Sequence, residues 1–392
     1  MRPKTSFKSL FEILLVSMKL GLTSFGGPIA HLGYFHNEYV RKRKWLDEKS
    51  YADLVALCQF LPGPASSQVG IGIGVIRAGL IGGILSFIGF TLPSVAALML
   101  FASLLQELPL ADAGWNHALK LVAVAIVAHA IFGMGQTLTP DLTRKAIALC
   151  ALVTALLWQS VFTQVVIIIV SAMLGYFLFR QTSEKSETQK KIAISYRFAI
   201  ICLCLFFGLL IVLPVLKGAT TSQWIAMIDS FYRSGSLVFG GGHVVLPLLE
   251  NEFVRTGLMN EETFLTGYGA TQAVPGPLFT FAAYLGTALY GWQGGLMATI
   301  FIFLPAFLLI IGVWPFWTSL RNSTKRRGVV MGVNAAVVGI LVSAFYQPVW
   351  TNTIKGPGDF AFAAILFFML AYWKLAPWII VLSSVIIGQL LF

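Results

Sequence analysis

Charge is the scarcest property of this chain. Of its 392 residues only 11% are Asp, Glu, Lys or Arg, less than half the roughly 25% usual in a soluble chain. The apolar share is 57%, above the ~45–50% of soluble domains. Those proportions exclude a soluble globular enzyme, a disordered chain and a nucleic-acid binder. Cysteine is nearly absent as well. Cys58, Cys150, Cys202 and Cys204 all lie in apolar runs, where a thiol acts as a small hydrophobe, and a helix would point residues 202 and 204 about 200° apart. No Gly-x-x-x-x-Gly-Lys, His-Glu-x-x-His, Gly-x-Ser-x-Gly or Cys/His cluster occurs. ATP hydrolysis, intramembrane catalysis and a cofactor or metal site therefore have no motif to rest on.

What the chain does have is long uncharged stretches: Leu80–Leu105, Leu121–Pro140, Ala146–Phe179, Phe198–Leu216, Thr263–Leu320, Gly328–Ile354 and Leu375–Phe392. Runs of this length predict membrane spans and an all-α polytopic membrane protein. The net charge of +11 then belongs to cytoplasmic loops rather than to a nucleic-acid partner. As one helix the 146–179 run would measure about 51 Å, too long for a bilayer core of about 30 Å. A break is expected at Trp158-Gln159-Ser160. Glu12 and Lys19 interrupt the first apolar segment, so a cleavable signal peptide is not expected.

The chain also repeats itself. Phe25-Gly26-Gly27 returns in the second half as Phe239-Gly240-Gly241, and the same offset pairs Lys19 with Arg233 and Asn37-Glu38-Tyr39-Val40-Arg41 with Asn251-Glu252-Phe253-Val254-Arg255. After a one-residue gap Gln59 and Pro62-Gly63-Pro64 match Gln272 and Pro275-Gly276-Pro277. A further gap pairs Gly79, Gly82 and Gly83 with Gly291, Gly294 and Gly295. The expected plan is a first repeat over 1–180, a cytoplasmic linker over 181–197, an unmatched span over 198–216 and a second repeat over 217–392.

Charge sets the relative orientation of the repeats. Arg41, Lys42, Arg43, Lys44 and Lys49 follow the first opening segment, whereas Arg255 stands alone in the matching loop. Further on the bias reverses, with no base between Leu105 and His117 against Arg321, Lys325, Arg326 and Arg327. Lys and Arg favour the cytoplasmic side, so inverted repeats are expected, with the N-terminus cytoplasmic.

The motif regions are not simple spans. Tyr51–Leu61 is about three helical turns before Pro62-Gly63-Pro64 stops it, and Ala65–Ile76 is equally short. The pair predicts a re-entrant helical hairpin, as do Thr263–Val274 and Leu278–Tyr290. Irregular backbone at membrane depth is tolerated only around protein or a water-filled cavity, so the breaks mark an interior site. Pro64 suits the first turn of a helix, and Ser66, Ser67 and Gln68 would present donors there. Such a helix start favours an anion, with the glycines allowing close approach and Lys19 and Arg233 adding positive charge. Lys19 and Arg233 equally suit snorkelling at the interface, and His31, His36, His129 and His243 suit structural hydrogen bonding or proton transfer. The Gly-x-x-x-Gly pairs at 79–83 and 291–295 predict close helix packing.

The Phe-Gly-Gly-Pro at 25–28, the Gln-Phe-Leu-Pro-Gly-Pro at 59–64 with Ser66-Ser67-Gln68, and the copies at 239–242 and 272–277 resemble the chromate ion transporter family in its long, two-domain form. The resemblance implies a plasma- or inner-membrane secondary transporter, not an enzyme, that exports chromate and confers resistance. Sulfate or another tetrahedral oxyanion is the alternative substrate, and an anion channel the alternative mechanism. The implied site joins Lys19, Phe25, Gly26, Gly27, Gln59, Pro62, Gly63, Pro64, Ser66, Ser67 and Gln68 to Arg233, Phe239, Gly240, Gly241, His243, Gln272, Pro275, Gly276 and Pro277. The second break has Leu278-Phe279-Thr280 where the first has Ala65-Ser66-Ser67, and so offers fewer side-chain donors. The expected partners are the oxyanion and the bilayer, with a homodimer left open.

Overall fold

A computed structural model describes residues 6–107, 114–158, 163–179, 194–239, 242–317 and 324–391. Every regular element among them is helical. Ser6 and Ser9 cap α1 (Phe7–Thr23) reciprocally, each side chain accepting the other's N–H. The chain breaks at Ser24, and Gly26 and Gly27 adopt φ of 95° and 78°, values a Cβ would resist. α2 (Gly27–Phe35) starts there and runs into a π-helical stretch, His36–Lys42. Asp47 caps α3 (Glu48–Phe60), which the Pro-Gly-Pro turn ends.

α4 (Ala65–Glu107) doubles back at Ala78-Gly79. Its short arm faces α3, with Leu54 against Gly72, and also its own long arm, where a Cβ on Gly74 would lie 2.2 Å from the Gly82 carbonyl oxygen. The expected two-piece hairpin is thus three strokes of chain, and the glycine pair both turns the chain and packs it.

α5 (Gly114–Leu138), α6 (Leu142–Leu157) and α7 (Thr163–Leu178) follow. α6 ends at the expected interruption, while Gln159 and Ser160 lie outside the described residues. Asp141 caps α6 by accepting the Arg144 backbone N–H, and this bond holds its carboxyl below the usual carboxylate range. α8 (Tyr196–Ala219) buries only the stripe Ala199, Cys202, Phe206 and Leu213 and turns Phe207, Ile211 and Val215 outward. In a bilayer that outer face meets lipid.

The pattern then returns in α9 (Gln223–Leu237), α10 (Val245–Phe253), α11 (Glu261–Thr271) and α12 (Phe281–Val313), with α12 entered through a 3₁₀ turn, Leu278–Thr280, and folded back at Tyr290-Gly291. α13 (Thr324–Ala344), α14 (Pro357–Ala371) and α15 (Pro377–Leu391) complete the chain. Five helical stretches among the described residues are long and apolar enough to cross a bilayer. The protein is a multi-pass helical membrane protein.

Two features hold its parts together. The long arms of α4 and α12 pack with Phe87 on Phe303 (5.0 Å between ring centroids) and Met99 beside Gly295, and at the end of α4 the Gln106 amide donates to the Ala288 carbonyl on the short arm of α12 at 2.8 Å. That register is antiparallel. The later helices are exchanged: α5 packs on α14 and α15, and α13 on α6 and α7. Glycine makes both seams possible. A Cβ on Gly388 would come 2.3 Å from Ala118 Cβ and 3.1 Å from the Gly114 oxygen, and one on Gly175 would come 2.2 Å from the Gly328 oxygen and 3.0 Å from Gly332 Cα. Gly328 and Gly332 stand at the same offset from Gly114 and Ala118 as the second Phe-Gly-Gly from the first, so the two seams are copies of one contact.

Candidate functional site at the helix breaks

Each Pro-Gly-Pro turn is bonded to the other half's Phe-Gly-Gly break. The Gly63 N–H donates to the Val238 carbonyl at 2.7 Å, and the Gly276 N–H donates to the Ser24 carbonyl at 2.9 Å. Ser24 and Val238 are equivalent positions, each directly before its Phe-Gly-Gly. Gly63 and Gly276 have φ of 110° and 104°, which frees their N–H groups from helix and aims them across the interface.

Buried polar side chains gather on this crossing. Ser24, His31, Ser66, Ser67, Gln68, Thr91, Ser94 and Gln272 are all at most 6% exposed. His31 Nδ1 lies 3.3 Å from Ser66 Oγ, its ring packs edge-on against Phe90, and Ser94 Oγ crowds Gly276. Gln68 donates to the Pro62 carbonyl at 2.9 Å. Several polar atoms have no hydrogen-bond partner among the described residues: Ser24 Oγ, His31 Nε2, Ser67 Oγ, Gln68 Oε1, Thr91 Oγ1 and Gln272 Nε2. An orphaned buried polar group costs about 1–3 kcal/mol, so their concentration at one crossing calls for a ligand or water to complete them.

The predicted residues do not all join this group. Gln59 is exposed, because Leu57, Cys58 and Leu61 take the inward face of α3; only its counterpart Gln272 is buried. The Lys19 side chain is 57% exposed and lies 3.5 Å from Glu38. Arg233 is enclosed by acids, pairing with Asp229 and, at 3.1 Å, with Glu252. Neither base is a bare counter-charge. Pro64 stands before α4 rather than in its first turn, its carbonyl accepting the Gln68 N–H. Phe25 packs on Trp378 at 5.8 Å, and His243 Nδ1 lies 3.0 Å from the Tyr268 hydroxyl. Phe239 packs against the core. Pro62, Pro275 and Pro277 shape the turns, while Gly240 and Gly241 lie outside the described residues.

The residues not foreseen are Ser24, Thr91, Ser94 and the acids Asp229, Glu38 and Glu252. Glu38 accepts from Arg43 Nε at 2.9 Å, and Glu12 joins Arg43 at 2.8 Å to Arg77 at 3.3 Å. In the second half Lys217 approaches Asp229 at 3.6 Å and Glu252 at 3.9 Å. The repeat alignment already paired Glu38 with Glu252 and could have flagged both. Two further cavities, each with room for about one water molecule, lie beside Gln164 and Asn251, and Arg233 lines one of them.

A duplicated bundle of broken membrane helices that meet at buried polar groups is an architecture that membrane transport proteins use. The family described as chromate transporter matches residues 11–176 and again 225–389. The chain belongs to that family. An uncharacterized transporter of Methanocaldococcus jannaschii is 27% identical over 99% of this chain and 96% of its own length. A chromate transport protein of Pseudomonas aeruginosa is 25% identical over 100% of this chain and 94% of its own length. An uncharacterized transporter of Bacillus subtilis is 32% identical over 37% of this chain and 74% of its own length. No solved structure matches significantly.

Proposed function

We propose that this protein is a secondary transporter that exports chromate across the plasma membrane and thereby lowers its cytoplasmic level. The observation that carries the reading is the set of unpartnered donors buried at the crossing, Ser24, Ser67, Thr91 and Gln272 among them. A tetrahedral dianion offers acceptors in every direction and would complete such a set. The Pro-Gly-Pro turns hold these side chains in place, their own Gly63 and Gly276 N–H groups being taken by the Val238 and Ser24 carbonyls. The family, and the relatives named for chromate transport, favour chromate as that dianion. Extrusion from a negative-inside cell is electrically downhill by about 2.3 kcal/mol per charge per 100 mV.

The antiparallel register of α4 and α12 and the reversed loop charges support two inverted repeats, over 1–180 and 217–392, joined by the linker 181–197 and the span 198–216. In this reading the N-terminus and the Arg41–Lys49 loop are cytoplasmic, and one repeat rocks against the other around the crossing. Burial of the site favours this carrier over a channel, which needs a continuous polar path.

The test is flux of labelled chromate and sulfate in proteoliposomes with imposed potentials. Saturable, potential-driven chromate movement with counter-transport is expected. Ser67→Ala and Gln272→Ala should each raise the half-saturating concentration about tenfold or more, the loss of one hydrogen bond to a charged ligand being worth about 1.5–3 kcal/mol. Unaltered flux in both variants would remove the site, and preference for sulfate would reassign the substrate.

A further inference from the structure

Two small cavities walled by both halves of the chain share Gln164 and Asn251 and adjoin two acidic clusters of different charge balance. Beside the first, Asp229 and Glu252 face Arg233 and Lys217. Two acids meet two bases, and the cluster is neutral as it stands. Beside the second, Glu250 is 3% exposed and its carboxylate meets Arg255 Nε at 3.2 Å. Glu261 lies near enough to repel Glu250, and its Oε1 is buried without a hydrogen-bond partner among the described residues. Here Glu250 has one base, Arg255, and a second acid, Glu261, within range of its charge. Ionised, Glu250 would hold its charge away from water against one partly exposed base and a second acid, which costs several kcal/mol unless a proton removes it.

No further cation relieves the excess among the described residues. α10 packs on α9, α13 and the 3₁₀ turn Gly242–Val244. The charged groups of α9 are Asp229 and Arg233, engaged as above; the turn supplies His243, held by the Tyr268 hydroxyl. The walls from α13 and α7 near Glu250 are Ile340, Ser343, Ala344, Thr163 and Gln164, all uncharged. On α11, Glu262 is taken by Lys120 at 2.8 Å. Asn251, 4% exposed, lines both cavities and makes no side-chain hydrogen bond among the described residues. A cavity the size of a water beside an unpartnered amide is suited to a relay water and too small for an oxyanion. In the first half the position equivalent to Glu250 is His36, directly before Asn37-Glu38, and it pairs with Glu48. The excess negative charge is therefore particular to the second half.

We propose that Glu250 is a proton-binding site, reached through the water cavity at Gln164 and Asn251, and that it takes up and releases a proton as the carrier cycles. The step moves one proton between water and the carboxylate, giving a neutral carboxyl, and needs no other reactant. The coupling rests on the carrier reading above; the proton site does not. Infrared difference spectroscopy on the full chain in lipid, stepped in pH, should show a carboxyl C=O band. Glu250→Gln should abolish it and Glu252→Gln should retain it. Arg255→Gln, which keeps Glu250 but withdraws its cation, should move the midpoint up by about one pH unit or more. A band that survives Glu250→Gln, or that vanishes only with Glu261→Gln, overturns the assignment. In proteoliposomes the pH-gradient-driven component of chromate flux should fall about tenfold or more in Glu250→Gln, and a pH response equal to that of the unaltered protein would overturn the coupling. If the unaltered protein moves no oxyanion while the infrared band behaves as stated, the transport reading fails and the proton site stands.

Discussion

Lys19 and Arg233 occupy matching positions of the repeat, yet burial gives them different work. Arg233 neutralises two carboxylates that are at most 6% exposed, whereas Lys19 touches Glu38 from a largely exposed position. Removing one partner of a buried pair costs about 3–5 kcal/mol, and a surface pair is worth about 0–1 kcal/mol. Arg233→Gln should therefore destabilise the detergent-solubilised protein by several kcal/mol in thermal unfolding, and Lys19→Gln by about 1 kcal/mol at most. Adding Asp229→Asn to Arg233→Gln should recover much of the loss, because the remaining acid keeps Lys217. The sequence carried the residues of this contrast but not its outcome. The repeated Asn-Glu-x-Val-Arg segments exposed Glu38 and Glu252, while their return onto Lys19 and Arg233 depends on how the broken helix folds back, which no local spacing encodes. Gln59 and Gln272 teach the same point, since a shared motif does not guarantee a shared face.

At the level of elements, the breaks were legible because proline and glycine act locally. Pro62-Gly63-Pro64 ends α3 wherever the helix lies, and Gly79 turns α4 with φ of 70°. The cross-bonding of each turn to the opposite break was not legible, because it needs the assembled interface. It has a testable consequence. Gly63→Ala and Gly276→Ala place a Cβ at φ above 100°, a strain of about 1–3 kcal/mol. Gly276→Ala also brings that Cβ to 2.9 Å from Ser94 Oγ, whereas at Gly63 the nearest atom is Gln68 Nε2 at 3.3 Å. Both variants should lower the unfolding temperature and impair flux, with Gly276→Ala the more damaged. Gly133→Ala, a helical site with nothing within 4 Å of the added carbon, serves as the control and should be neutral or slightly stabilising.

For the whole molecule, the loop charges and the antiparallel register of α4 and α12 make one topological demand. With native cysteines replaced, a cysteine at Lys42 should react with an impermeant reagent from the cytoplasmic side and one at Arg255 from the opposite side. Labelling of both from one side would end the inverted reading. The spans themselves were plain from the uncharged runs; the exchange of α5 and α13 was invisible, since it is written in glycines that look ordinary along the chain. That exchange bears on how the protein can be made. Neither half owns all the surfaces that would seal its interior, so a half produced alone would display a groove shaped for a missing neighbour. Biogenesis is then a closing of hands rather than the stacking of two finished blocks, and the fold becomes watertight only after the last helix of the second half has reached α5.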